Sequence, residues 1–127
     1  MQIGDAFLLE DRDIDPHLWV VISHPQENAQ AVVIVNLTSL GPTKDQSCVL
    51  NVGDHPWISH ATCVHYADAK CVSEETIDQL VAKSLLQPRE PAADALLAKI
   101  LRGAAITDAM PIKCRRVLVD QDLIDDA

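Results

Sequence analysis

The chain has 127 residues, 48% of them hydrophobic and 23% charged, with 4 glycines and 7 prolines. A chain of this size buries one core, is too short for two ordinary domains, and carries too little charge for global disorder. Ten basic residues against nineteen carboxylates leave a net charge of −9, which speaks against a non-specific nucleic-acid binder. No apolar run approaches the roughly 18 residues of a membrane span. Met1-Gln2-Ile3-Gly4-Asp5 also lacks the basic-then-apolar layout of a signal peptide. The expectation is a soluble cytoplasmic chain without a membrane partner.

The first 72 residues read as strands. Gly4-Asp5 turns into a first strand, Ala6-Phe7-Leu8-Leu9. Residues 17–23, after Asp15-Pro16, are β-branched and aromatic, and residues 31–38 form a second apolar run beyond a turn at 24–28. Neither run alternates, so both strands are expected to be covered on two faces, as in a small barrel. A loop at 41–45 leads to a short strand, Ser47-Cys48-Val49-Leu50, and then to a bend punctuated by Gly53 and Pro56. Residues 61–69 form the last long strand, with Thr62, Val64 and Tyr66 on one face and Cys63, His65 and Ala67 on the other.

At Ser73 the period changes. Ser73-Glu74-Glu75 supplies an N-cap and two first-turn acids. Ile77, Leu80, Val81, Ser84 and Leu85 follow at helical spacing. Residues 87–91, with Pro88 and Pro91, break that helix. A second is expected over 92–102 with Gly103 as its stop, and a third from Pro111 carrying Ile112, Cys114, Val117 and Leu118. Strands followed by helices mean α+β: a small, strongly bent antiparallel barrel (1–72), a segment of two or three C-terminal helices (73–118) and an acidic tail (119–127), all in one domain.

Charge divides along the same lines. Residues 1–72 hold three basic groups (Arg12, Lys44, Lys70) against nine acids, whereas residues 83–116 hold seven against three. The tail carries Asp120, Asp122, Asp125 and Asp126 with no base and reads as a solvated, frayed end. Cys48, Cys63, Cys71 and Cys114 form no C-x-x-C pair. In a reducing compartment they are expected to be free, buried thiols, none with an activating neighbour.

The order of elements, with Gly4-Asp5, a second strand ending Val21-Ile22-Ser23 and a third ending Val35-Asn36-Leu37-Thr38-Ser39, resembles the PemK/MazF-like toxin family over about residues 3–85. The resemblance implies an SH3-like barrel and an endoribonuclease. It also implies a cognate antitoxin or other small protein partner, a homodimer and no cofactor. The family's cleavage site joins an arginine at the start of the second strand to a Thr or Ser at the end of the third. Thr38 and Ser39 stand at the latter position. At the former this chain has His17, followed by Leu18 in place of proline.

Metal-independent cleavage of single-stranded RNA needs a base for the 2′-hydroxyl, an acid for the 5′-oxygen and donors for the phosphorane. Histidine suits the first two. The candidate catalytic residues are therefore His17, Thr38 and His60, with Ser39, His55, Trp57 and Thr62 as substrate contacts. A zinc reading of His55, His60, Cys63, His65 and Cys71 lacks the paired spacing of known sites, and no metal is expected. The rival reading is a non-catalytic SH3-like protein-binding module or accessory subunit, for which an acidic surface is no handicap.

Overall fold

The computed structural model describes residues 1–11 and 14–125; Arg12, Asp13 and Asp126, included in the charges above, lie outside them. The elements are β1 (Ala6–Asp11), β2 (Ile14–Val21), β3 (Val32–Ser39), β4 (Val49–Leu50), β5 (Thr62–Val72), α1 (Glu74–Ala82), β6 (Leu86–Arg89), α2 (Asp94–Ile106) and α3 (Ile112–Asp120). The α+β class and antiparallel pairing follow the sequence expectation. Closure does not: the strands form one open sheet in the order β4-β5-β3-β2-β1-β6.

The unalternating runs are explained by what covers that open sheet. Leu18, Val20, Val33, Val35 and Leu37 face a larger core that α2 and α3 complete with Leu96, Ile100, Cys114 and Leu118. Trp19, Val21, Val32 and Ile34 face a smaller core completed by Phe7, Ile77 of α1 and Leu86 of β6. Helices on one side and a helix with an edge strand on the other bury both faces, so the apolar pattern that pointed to a barrel is met without one.

Local chemistry explains the helix limits. Ser73 caps α1, its hydroxyl accepting from the Thr76 amide at 3.1 Å, with Glu74 and Glu75 in the first turn. The helix ends earlier than its apolar stripe implied. Ser84 adopts φ 59 and the Leu85 amide donates back to the Leu80 carbonyl at 2.9 Å, so the chain reverses. Residues 86–89 then form β6 against β1 instead of a simple break between helices. Pro88 is tolerated there because β6 is a sheet edge. Gly103 does not stop α2 either; the helix runs on to Ile106. The glycine is needed for close approach, because a Cβ there would lie 2.7 Å from Cys48 Cβ and closer still to the Tyr66 hydroxyl.

β5 contains the main irregularity. Its register against β3 passes from Asn36↔His65 to Ile34↔Lys70, five residues along β5 for two along β3. The three extra residues are an odd number, so the inward parity inverts. Val64 and Tyr66 face the larger core before the bulge, and Ala69 and Cys71 do so after it. The acidic tail does not fray through 125: Leu123 donates to the Leu118 carbonyl at 2.9 Å, and Ile124 is buried. Gln121 also clamps the β2–β3 connection, its Oε1 accepting from the His24 amide at 2.7 Å and its Nε2 donating to the His24 carbonyl at 3.3 Å. Among the described residues no helix is long and apolar enough to cross a membrane.

Candidate functional site

β3 ends in Thr38-Ser39 and runs antiparallel to the start of β5, with Thr38 opposite Cys63 and Ser39 opposite Thr62. The two-residue period sends the two hydroxyls to opposite faces. Ser39 projects on the face of Leu37 and is exposed. Its Oγ lies 2.7 Å from His60 Nε2, and the other ring nitrogen of His60 lies 3.1 Å from Ser59 Oγ. An exposed imidazole held between two hydroxyls can exchange protons with a bound molecule.

The loop carrying His60 is anchored by side chains expected to touch substrate. His55 is 4% exposed. Its Nδ1 accepts from the Trp57 amide at 3.0 Å and its Nε2 lies 2.6 Å from the Glu90 carbonyl. A carbonyl only accepts, so the proton sits on Nε2 and both nitrogens are engaged in holding the loop. Thr62 is buried and donates its hydroxyl to the His60 carbonyl at 2.9 Å, fixing the backbone of the catalytic candidate. Asp54 accepts from the Asn51 amide at 2.8 Å and from Lys99 Nζ at 3.0 Å, and these bonds hold its carboxyl below the usual range. Trp57 is half-buried against the larger core.

His17 belongs to the other face. β2 pairs His17 with Leu9 of β1 and Trp19 with Asn36 of β3, and by the two-residue period His17 shares Trp19's side, that of the smaller core. His17 Nδ1 lies 3.0 Å from the Leu37 carbonyl, so Nδ1 carries the proton of the neutral ring and Nε2 keeps its lone pair. On the same face Asn36 is buried, its Nδ2 donating to Asp68 Oδ2 at 2.7 Å, while its Oδ1 has no partner among the described residues. The structure thus joins Ser39 to His60 and leaves His17 and Thr38 on the face of the smaller core, so the two imidazoles lie on opposite faces of the sheet.

Asn36 was not among the candidates, although a lone amide between the apolar run Val32-Val33-Ile34-Val35 and Leu37 was a visible signal. The zinc candidates separate: His55 serves the Glu90 carbonyl, Cys71 meets Cys114, and among the described residues no three His, Cys, Asp or Glu side chains converge on a metal position. The cysteine expectation needs one correction. All four thiols are free, yet Cys71 has a neighbour, with its Sγ 3.3 Å from that of Cys114.

Fold and site together define an α+β protein with an open six-stranded antiparallel sheet whose β3–β5 end presents a hydroxyl–imidazole pair. Comparison with protein-family models, curated proteins and solved structures gave no match for the chain.

Proposed function

We propose that the chain is a PemK/MazF-like endoribonuclease that cleaves single-stranded RNA by acid–base chemistry without a metal, its strand order being a divergent, open form of the SH3-like arrangement. The observation that supports this most is the 2.7 Å contact of Ser39 with His60, at the strand end where the family keeps its hydroxyl. His60 takes the proton of the 2′-hydroxyl, the 2′-oxygen attacks phosphorus, and the imidazolium returns the proton to the departing 5′-oxygen. The products are a 2′,3′-cyclic phosphate and a 5′-hydroxyl end. Ser39 orients the ring, and Lys44, exposed in the loop after β3, supplies positive charge for the phosphate. His17 and Thr38, on the other face, bind the neighbouring nucleotide instead of sharing the proton transfers. The family reading carries with it an antitoxin, a homodimer and a cytoplasmic setting.

The test is labelled single-stranded RNA incubated with the purified chain in excess chelator. Cleavage to cyclic-phosphate ends is expected, falling about 100-fold in His60→Ala and vanishing when the 2′-hydroxyl is absent. RNA left intact, or full activity in His60→Ala, rejects the reading. A second reading, a protein-binding module, is favoured by a groove of about 580 Å³ beside edge strand β4, where cationic groups collect despite the chain's net charge of −9. Val49, Ile106, Lys99 and Arg102 line it, the mixture of apolar and cationic groups that suits an acidic peptide. Retention of RNA with saturable binding of acidic peptides would support it.

A further inference from the structure

Cys71 and Cys114 are 43 positions apart in sequence, yet their sulfurs lie 3.3 Å from each other. The β5 bulge creates this meeting. Cys63 and Cys71 are eight residues apart and would share a face in a regular strand. Instead Cys63 stays opposite Thr38, and Cys71 pairs with Val33 and turns toward α3. On α3, Cys114 lies three and four positions before Val117 and Leu118, on the stripe facing the sheet. Cys71 is half-buried and reachable, whereas Cys114 is 2% exposed. That is the arrangement of an attacking thiol backed by a resolving one.

The charge environment agrees with the geometry. The contact with Cys114 lowers the Cys71 thiol, burial opposes, and the Lys113 ammonium lowers it further, leaving it at about 7. The same contact, with burial, pushes Cys114 up. Burial raises Cys48 and Cys63, which makes those two the inert thiols of the chain.

We propose that Cys71 and Cys114 form a redox-active dithiol that small-molecule disulfides oxidise to an intramolecular disulfide tying α3 to β5. The Cys71 thiolate attacks one sulfur of a disulfide such as oxidised glutathione, breaking its S–S bond and releasing one glutathione thiolate. Cys114 yields its proton to that leaving thiolate or to solvent. Its sulfur then attacks Cys71 Sγ and displaces the second glutathione. The protein loses two protons and two electrons, together two hydrogen atoms, and one oxidised glutathione becomes two reduced ones.

The test incubates the full wild-type chain, without oxygen, in buffers of graded oxidised-to-reduced glutathione ratio. It reads intact mass and disulfide-linked peptides. The expected result is a chain lighter by two hydrogens, with the peptides of Cys71 and Cys114 linked and Cys48 and Cys63 still free. Cys114→Ser should stop with one glutathione retained on Cys71, and Cys71→Ser should react at least about tenfold more slowly, as expected for loss of the thiolate. A wild-type chain that stays fully reduced, keeps a stable glutathione adduct, or links Cys48 or Cys63 overturns the proposal. Because the wild-type mapping decides it alone, a variant that fails to fold leaves the answer intact.

Discussion

Two hydroxyl contacts of nearly equal length do opposite things in this molecule. Tyr66 donates to the Ile100 carbonyl at 2.6 Å from a fully buried position, whereas Ser39 meets His60 at 2.7 Å on an exposed strand end. The first lies where the sheet presses on α2 through Gly103, with no room for water or ligand, and so it locks packing. The second touches solvent and adds little to stability, but it leaves an imidazole able to trade protons. Equal lengths hide the difference: burial makes the first contact part of the core, and exposure leaves the second open to a bound molecule.

The largest effect should come from filling the space beside the buried contact. Gly103→Ala sets a Cβ against the Tyr66 hydroxyl, Cys48 Cβ and the Ser47 carbonyl, and should cost about 3 kcal/mol or more in urea unfolding. Adding Tyr66→Phe to that variant removes one of the clashing atoms and should recover part of the loss, a coupling that a double-mutant cycle measures. Unchanged stability in Gly103→Ala would mean that α2 does not sit this close to β5.

At the exposed contact the contrast reverses. His60→Ala should reduce RNA cleavage while leaving unfolding free energy within about 0.5 kcal/mol of wild type, as for most surface substitutions. If cleavage survives and stability falls instead, the two contacts are alike and the distinction between them fails.

A smaller, pH-dependent effect lies between these extremes at Asp45, which fastens the β3–β4 connection to the end of α2. Its carboxylate accepts from the Ser47 hydroxyl and the Thr107 hydroxyl, each at 2.6 Å, and from the Ser47 amide at 2.9 Å. Burial raises this carboxyl, but the three hydrogen bonds outweigh it and hold it below its ordinary 3.8. A depressed folded-state value means the contribution is full above the unfolded value and is lost as pH falls through the folded one. Asp45→Asn should therefore cost about 1–2 kcal/mol at neutral pH, and the gap from wild type should close below about pH 4, which urea titrations at several pH values would record.

Much of the architecture was legible because it rests on neighbours in sequence. Ser73-Glu74-Glu75 announces the start of α1, and the unbroken apolar runs around Val20 and Val33 announce strands buried on both faces. The inference from burial to a closed barrel went astray because a covered face carries the same residues whether a strand or a helix covers it. Leu85 and Pro88 misled for a related reason: a helical stripe says nothing of where the chain reverses, and an edge strand accepts a proline that a central strand would reject. At the candidate site, Ser39 and His60 were readable as residue types and met. His55 and Thr62 were equally suggestive types, but their polar atoms are taken up by backbone groups of the loop they hold.

By itself the amino-acid order determined the long strands, the Ser73 cap of α1 and most of the apolar faces, since these depend on contacts within a few residues along the chain. Only the tertiary structure decided the open sheet, the β6 pairing, the inverted parity of β5 and the meeting of Cys71 with Cys114. Those depend on register between distant segments, where a shift by an odd number of residues carries a side chain to the other face.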